Sequence, residues 1–284
     1  MPVIPVADLD DARLTAFRDI GDAALRRERG ECLVEGRLVV RQLLREQPGR
    51  ARALLVTEPA RDRLGDLLPL VPDLPVFTVP VGAMQAVTGF NLHRGCLAVA
   101  SRGPERSWQS VTASADRLLV LEGVGNPDNV GGLFRTARAF GLDGILLGPG
   151  TGDPLYRKAI RVSCGASLAL PYAALAPWPE ALAALAADGI ELWALTPAAD
   201  AMSLHDACAP RLPTRLALLV GAEGDGLSMA SQALVHRRVR IPVHPAVDSL
   251  NVVVAAGVAL AAVGLILPAD RRTIPDGGQS WTAP

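Results

Sequence analysis

The sequence contains few residues of the types that build structural metal sites or disulfide frameworks. It has four cysteines and four histidines among 284 residues. No two cysteines form a Cys-x-x-Cys pair, and the histidines have neither His-Glu-x-x-His nor zinc-finger spacing. We therefore expect no metal site, and reduced thiols in a cytoplasmic protein. Nothing at the N-terminus has the pattern of a signal peptide, which agrees with that expectation.

The sequence also lacks an excess of basic residues. Its formal net charge is -1 and its isoelectric point is near 6.4. A dedicated nucleic-acid-binding chain has an isoelectric point above about 9, so any such binding must depend on local basic patches. Lys158 is the only lysine among the 28 basic residues. Arginine suits forked contacts with phosphate, although genomic base composition is the simpler explanation of this bias.

Only one segment is apolar over a length that approaches a membrane span. It runs from Leu250 to Leu267, close to the roughly 18 residues that suggest a transmembrane helix. The segment is rich in alanine and glycine, has Asn251 near its start and lacks a basic anchor before it. We interpret it as a helix buried on all sides, in a core or a subunit interface, and expect no membrane association.

The N-terminal part of the chain alternates between helical and strand patterns. Residues 8–30 carry an apolar stripe at helical spacing and predict a surface helix. Later patterns predict strands near residues 32–36, 53–57, 76–80 and 95–100, with helices near residues 38–44 and 60–68. The alternation predicts a small α/β domain over residues 1–105. The polar stretch at residues 101–110 contains glycine and proline and predicts the linker.

The C-terminal part also alternates, but its strand patterns are more strongly apolar. Leucine-rich or β-branched runs begin at Leu118, Gly144, Ile190, Leu216 and Val239. Helical patterns follow near residues 130–140, 155–164, 179–187 and 228–235. Continuous apolar runs are typical of parallel strands covered on both faces. Residues 112–270 therefore predict a doubly wound α/β domain, and the polar residues 271–284 predict a flexible tail.

Three loops that follow predicted strands carry unusual sequences, at the sheet edge where α/β proteins bind ligands. The first, residues 123–141, has Asn129 at a helix start and Arg135 within the helix. Asp128 stands where a dinucleotide-binding fingerprint needs its third glycine, so this loop is not such a site. The alternative interpretation makes Asn129 an N-cap and Arg135 a solvated helix residue.

The other two loops combine glycine or proline with single polar residues. Residues 218–228 surround Glu223 with three glycines, which let the backbone approach a ligand closely. An ordinary glycine turn with an exposed acid is the alternative. The third loop leads from Ile241 into the apolar helix, where Asp248 or Ser249 would serve as N-cap. Asn251 would then be a buried amide that needs hydrogen-bond partners, which favours a functional role.

Two further segments have simpler interpretations. The loop at residues 147–154 is rich in glycine but lacks the lysine of a phosphate-binding loop, so we interpret it as a plain connection. The basic run at residues 236–240 is interpreted as a solvated edge.

In this order and spacing, the three unusual loops resemble the three motifs of the SpoU/TrmH family of RNA ribose 2'-O-methyltransferases, of the SPOUT class. The matching segments are Asn129-x5-Arg135 in NVGGLFRTARAFG, then VGAEGDGLS, then IPV(x5)SLNV. The first domain resembles the family's ribosomal-protein-like substrate-binding domain, through CLVEGRLVVRQLL at residues 32–44 and HRGCLAVA at residues 93–100. The resemblance covers nearly the whole chain outside the tail.

The resemblance implies a fold, a cofactor, partners and site residues. It implies a trefoil knot in the C-terminal α/β domain, S-adenosylmethionine as cofactor, ribosomal or transfer RNA as substrate, and a homodimer with sites assembled across the subunit interface. The positions it assigns to cofactor binding, largely through backbone groups, are Thr196, Gly221, Ile241 and Leu250. Those it assigns to the reacting ribose are Asn129, Arg135, Glu223, Ser249 and Asn251.

The implied reaction moves a sulfonium methyl group to a poor nucleophile, so the protein must align the two and stabilise a developing alkoxide. A guanidinium is effectively always protonated, so we expect Arg135 to stabilise the alkoxide and bind a phosphate rather than remove the proton. Val253 departs from the family, which often has a polar residue there. A catalytically inactive RNA-binding protein of the same fold is the alternative, and the missing fingerprint disfavours a nucleotide-dependent oxidoreductase.

Overall fold

The computed structural model describes residues 3–8, 10–18, 23–89, 95–209 and 211–264. The predicted tail at residues 271–284 and the last residues of the predicted second domain, 265–270, lie outside the described residues. So do residues 93 and 94 of the HRGCLAVA segment.

A mixed sheet forms the N-terminal part of the described chain. Its five described strands are β1 (Val3–Pro5), β2 (Glu31–Glu35), β3 (Ala51–Val56), β4 (Val76–Thr78) and β5 (Cys96–Ser101). The α-helices of this part are α1 (Ala23–Glu28), α2 (Arg37–Glu46), α3 (Glu58–Asp62) and α4 (Met84–Thr88). The strand order is β1-β4-β3-β5-β2, in which β5 runs antiparallel to both of its neighbours. 3-10 helices lie at Ala12–Phe17, Pro48–Arg50, Leu68–Leu70 and Val81–Ala83.

The predicted helix over residues 8–30 is wrong. The chain forms a 3-10 helix at Ala12–Phe17, in which the side chain of Asp11 accepts a hydrogen bond from the backbone of Arg13. Arg18 is extended, with φ of -92° and ψ of -178°, and this ends the turn before α1 begins. Leu14 and Phe17 of the apolar stripe are fully buried, so these two side chains do pack inward. Residues 9 and 19–22 lie outside the described part of the chain.

An all-parallel sheet forms the C-terminal part of the described chain. Its described strands are β6 (Arg117–Leu121), β7 (Gly144–Leu147), β8 (Tyr172–Ala174), β9 (Glu191–Leu195), β10 (Met202–Ser203), β11 (Leu216–Val220) and β12 (Arg237–Arg240). The helices around it are α5 (Trp108–Thr112), α6 (Pro127–Ala139), α7 (Arg157–Val162), α8 (Ala166–Ala169), α9 (Glu180–Ala187), α10 (Leu204–Cys208), α11 (Met229–Leu234) and α12 (Val252–Gly264). The strand order is β10-β12-β9-β11-β6-β7-β8. The predicted α/β fold with a parallel sheet is confirmed.

Both faces of this sheet are covered, as its apolar strands require. Alternate residues of β6 and β11 contribute to two different apolar clusters, because successive side chains of a strand point to opposite faces. Leu119 and Leu218 pack in the cluster that contains α6 and α12. Val120 and Leu219 pack in the cluster that contains α9. The sheet therefore has no solvated face at its centre.

The two sheets are joined by a close interface on α7 and α8. Leu155, Ile160 and Leu168 belong to the same apolar cluster as residues of β2 and α2. At the edge of this cluster the buried carboxylate of Glu35, 3% exposed, is paired with Arg157 and Arg161 of α7. A surface pair also joins Arg138 of α6 to Glu46 of α2 at 2.7 Å. The N-terminal sheet is thus fixed against the helices that follow β6 and β7.

Helix α12 covers one face of α6 but leaves its own opposite face exposed. Gly132 of α6 contacts Val253, and Thr136 lies against Gly257, so the two helices pack closely through glycine. Val254 and Val258 are 51% and 41% exposed. The prediction of a helix buried on all sides is therefore wrong within this chain, and the proposed subunit interface stays a prediction. No helix in the described residues is long and apolar enough to cross a membrane.

Candidate active site

A cavity of about 800 Å³ opens at the carboxyl ends of β9, β11 and β12, the edge at which α/β sheets bind ligands. The structure brings all four predicted cofactor-binding positions to its wall, and three of the predicted catalytic ones. These residues are Thr196, Gly221, Ile241, Leu250, Glu223, Ser249 and Asn251. They come from three loops separated by up to 55 positions in the chain, so the fold rather than local sequence assembles the cavity.

The second of the three loops is a tight turn that only glycine permits. A Cβ atom built on Gly221 would lie 2.2 Å from the backbone carbon of Gly226, so the two ends of the turn touch. The backbone of Gly226 donates to the carbonyl of Ala222 at 3.1 Å. Gly224 and Gly226 have φ of 94° and 70°, a region that favours glycine. This turn presents Glu223 at the rim of the cavity.

The side-chain amide of Asn251 connects the three unusual loops of the sequence, those that contain Asn129, Glu223 and Asn251 itself. Its Nδ2 atom donates to Glu223 Oε1 at 2.9 Å and to Asn129 Oδ1 at 3.2 Å. Its Oδ1 atom accepts from the backbone of Val253 at 3.0 Å, and its carbonyl accepts from Ala255. Asn251 is therefore the N-cap of α12, and the interpretation of Asp248 or Ser249 as the cap is wrong. The amide is also exposed rather than buried, although it has the partners that were expected.

Asn129 lies inside α6 and not at its cap. The cap is Asn126, whose side chain accepts from the backbone of Asp128 at 2.9 Å, and Pro127 is the first helical residue. The N-cap interpretation of Asn129 is therefore wrong. Asn129 is 6% exposed, outside the cavity wall, and it reaches the site through its hydrogen bond to Asn251.

Arg135 is the predicted catalytic residue that neither lines the cavity nor forms a hydrogen bond with a residue that does. It lies on the exposed surface of α6, outside the cavity wall. Its guanidinium has no hydrogen bond or ion pair with any described residue. The neighbouring positions on the helix, Gly132 and Thr136, face α12. Arg135 thus stands beside α12 as a free cation within the described part of the chain.

Sequence reasoning missed part of the wall and one supporting acid. The loop before α12 contributes three further residues to the cavity wall, His244, Pro245 and Val247. The sequence feature that could have indicated them is the proline-bearing connection between a strand and an apolar helix. Glu122 follows β6 and is 7% exposed. Its Oε2 atom accepts from the backbone of Ser228 at 3.3 Å, which ties the end of β6 to the start of α11. The only sequence feature that could have indicated Glu122 is its position as an acid at the end of an apolar strand.

The described residues contain no group of three or more His, Cys, Asp or Glu that could hold a metal ion. Glu223 and Asp248 are the carboxylates of the wall, Arg240 and His244 are its basic side chains, and Leu195, Val220 and Ile241 supply apolar surface.

Comparison with known sequences identifies this arrangement. The sequence model of the SpoU rRNA Methylase family matches residues 116–261, which contain all three motif loops. The chain belongs to the SpoU rRNA methylase family. The match covers the parallel sheet and every wall residue of the cavity.

Relatives and a solved structure extend the similarity to nearly the whole chain. An uncharacterized tRNA/rRNA methyltransferase of Mycobacterium tuberculosis is 42% identical over 263 residues, which cover 91% of each chain. The 23S rRNA (guanosine-2'-O-)-methyltransferase RlmB of Vibrio parahaemolyticus is 31% identical over 78% of this chain and 91% of its own. The AdoMet-bound rRNA methyltransferase of Sinorhizobium meliloti shares the fold, with a TM-score of 0.77 at 22% identity over 94% of this chain and 99% of its own.

Proposed function

We propose that this SpoU family member transfers the methyl group of S-adenosylmethionine to a ribose 2'-hydroxyl of ribosomal or transfer RNA. The observation that carries the proposal is the amide of Asn251, which joins Asn129 and Glu223 at the rim of a single cavity. This contact unites the three motif segments that sequence alone showed to be separate. The names of the relatives, an RNA methyltransferase and a guanosine-2'-O-methyltransferase, support the same reaction.

The cavity suits S-adenosylmethionine in size and charge. Its volume of about 800 Å³ lies within the range of small-molecule sites. Glu223 and Asp248 complement the positive sulfonium and ammonium groups of such a ligand, and the close glycine turn exposes backbone groups to it. Thr196, Gly221, Ile241 and Leu250 are the positions that we propose to hold it. When bound, the cofactor supplies an electrophilic methyl group.

Polar side chains around the ribose stabilise the developing alkoxide and orient the ribose. Arg135 is permanently cationic, so it stabilises the developing alkoxide and a neighbouring phosphate, and the proton leaves to water or an RNA oxygen. The amide nitrogen of Asn251 donates both of its hydrogen bonds to protein groups, so Asn251 positions Asn129 and Glu223. Ser249 lies on the same wall and is free to orient the ribose.

We also propose which part of the chain binds RNA and which part carries out methyl transfer. Residues 1–105 form the RNA substrate-binding domain, and residues 112–270 form the methyltransferase domain with the trefoil knot of the family. The order of the parallel strands supports the knot, because β12 lies beside β9 while α12 returns to pack on α6.

A homodimer explains two features of the isolated chain. The exposed apolar face of α12, with Val254 and Val258, suits a subunit interface. Arg135 stands next to this helix, outside its own cavity. In the proposed dimer, Arg135 of one subunit completes the cavity of the other.

Labelled S-adenosylmethionine tests the proposed reaction directly. The protein is incubated with it and with unmodified ribosomal or transfer RNA, and the label is mapped by resistance of the RNA to alkaline cleavage. We expect label on a 2'-hydroxyl with the wild-type protein and with Arg211→Ala, an exposed arginine before β11, and none with Arg135→Ala. RNA binding without cofactor binding would contradict the proposal and support a catalytically inactive RNA-binding protein.

A further inference from the structure

A second cavity of about 680 Å³ lies between the two sheets, at the carboxyl ends of β7 and β8. Its wall comes from α1, the turn after α2, the linker at residues 102–106 and the loop at residues 147–154. None of the motif residues lines it. The cavity is therefore separate from the proposed cofactor site, although both open at the same edge of the parallel sheet.

The charged groups of this second cavity are mainly cationic. Four arginines and two carboxylates line it, and one of the carboxylates, Asp153, is already paired with Arg102 at 2.8 Å. Arg27 and Arg106 are exposed and form no ion pair with any described residue. The cavity thus has an excess of positive charge in a protein whose net charge is -1.

Arg50 adds a fixed positive charge to the wall. Its guanidinium donates to the carbonyls of Ser101, Leu168 and Arg102 and to the side-chain oxygen of Gln47, at 2.6–2.9 Å. All of these acceptors are neutral, so the charge of Arg50 is held in place without a carboxylate in the described residues. A fixed cation of this kind attracts an anion at no cost in side-chain order.

One loop forms a wall shared by the two cavities. A Cβ atom on Gly123 would lie 3.1 Å from the side chain of Ala222, which lines the cofactor cavity. On its other side, a Cβ atom on Gly152, which lines the second cavity, would lie 2.7 Å from the carbonyl of Gly125. Residues 123–125 therefore separate the two cavities by about the thickness of a single backbone segment.

We propose that the second cavity binds the phosphodiester backbone of the substrate RNA beside the nucleotide that is methylated. An RNA strand that places its ribose at the first cavity can cross the loop at residues 123–125 and present its next phosphates to Arg27, Arg50 and Arg106. This inference rests on the proposed function for the identity of the ligand. It assigns a role to the linker and to the loop at residues 147–154.

The test measures RNA binding directly and does not depend on methyl transfer. Fluorescence anisotropy gives the affinity of unmodified ribosomal and transfer RNA transcripts for the full chain at several salt concentrations. The variants are Arg27→Ala with Arg106→Ala, which removes two exposed cations, and Ala174→Trp, which fills the cavity without changing its charge. Arg211→Ala is the matched control. It removes an exposed arginine from the connection that leads into the amino end of β11, whereas the cavity lies at the carboxyl ends of the strands.

We expect the double variant to bind RNA on the order of tenfold more weakly, and its salt dependence to fall by about 1.4 in the log-log slope. Ala174→Trp should weaken binding as well, while Arg211→Ala should not. Equilibrium dialysis should show unchanged binding of S-adenosylmethionine by all variants. Equal RNA affinity for the double variant and the control, or no effect of Ala174→Trp, would overturn the inference. Label transfer by the wild type tests the proposed function separately, so the two can fail independently.

Discussion

The side chain of Asn251 has two roles that substitution can separate. Its oxygen caps α12, and its nitrogen positions Asn129 and Glu223. Serine caps a helix as well as asparagine does but has no amide to donate. We therefore expect Asn251→Ser to keep nearly wild-type stability in urea unfolding and to lose at least about tenfold in methyl transfer, because catalytic positioning of this kind is sensitive to small displacements.

The matching control is Asn251→Ala, which removes both roles. It should lose activity to a similar extent and also lose about 1 kcal/mol in the free energy of unfolding, the usual cost of an absent cap. If Asn251→Ser retained full activity, the contacts to Asn129 and Glu223 would have no part in the reaction.

Two buried thiols should make the protein less stable as the pH rises above about 9. Burial raises the pKa of Cys32 to about 11 and that of Cys96 to about 12, from an ordinary value of 9.0. Above about pH 9 the unfolded chain releases these protons while the folded chain keeps them, so the unfolded state binds fewer protons and stability falls as pH rises. Urea unfolding at pH 8 and pH 10 should show this fall. Cys96→Ala should show a smaller one, and an identical fall would assign it to other groups.

At the scale of single elements, α6 and α12 contain glycines with opposite expected responses to alanine. A Cβ atom on Gly131 would lie 2.6 Å from the carbonyl of Ala159 in α7, a backbone atom that cannot yield easily. On Gly257 of α12 it would meet only Thr136, at an ordinary 3.7 Å. We expect Gly131→Ala to destabilise the protein by about 1–3 kcal/mol, as overpacking does. Gly257→Ala should stabilise it by up to about 1 kcal/mol, the helix propensity of alanine over glycine.

Urea unfolding of the two variants in parallel measures both effects. A stabilised Gly131→Ala variant would show that α6 and α7 can separate without cost. The comparison also tests how α6 is held, because the same packing fixes Asn129 two residues earlier in that helix.

The long buried strands were predictable from sequence, and most of the short ones were not. Strands β6, β9 and β11 have five residues each, of which at least four are apolar, and most of these are buried as continuous apolar runs predict. Strands β1, β8 and β10 have two or three residues, too few for a periodic pattern, and were not predicted. Strand β4 is equally short but was predicted, because it lies within the longer strand pattern at residues 76–80. The helix predicted over residues 8–30 failed because apolar spacing does not reveal an extended residue such as Arg18.

For the candidate site, sequence predicted which loops take part but not which side chains are in contact. The three loops could be chosen from sequence because polar and glycine residues follow apolar strands there. Which side chains meet could not, because the contact between Asn251 and Asn129 joins residues 122 positions apart. The position of Arg135 outside the cavity likewise depends on how α6 and α12 pack, which only the assembled fold determines.

For the whole molecule, the decisive question is whether a complete site needs two chains. Arg135→Ala and Glu223→Ala should each abolish methyl transfer when present in both subunits. If Arg135 of one subunit serves the cavity of the other, a mixed dimer has one site that lacks both residues and one that is intact. Coexpression of the two variants, with separate affinity tags and purification of the mixed dimer, should therefore restore about half of the wild-type activity per dimer.

A site contained within one chain predicts the opposite result, because every chain of the mixed dimer then lacks one essential residue. Replacement of Val254 and Val258 with glutamate provides the structural control, since it places charge on the exposed face of α12. We expect this variant to be monomeric in light scattering and inactive, while it still binds S-adenosylmethionine. A mixed dimer without activity, or an active monomer, would show that Arg135 does not serve the neighbouring subunit and acts within its own chain.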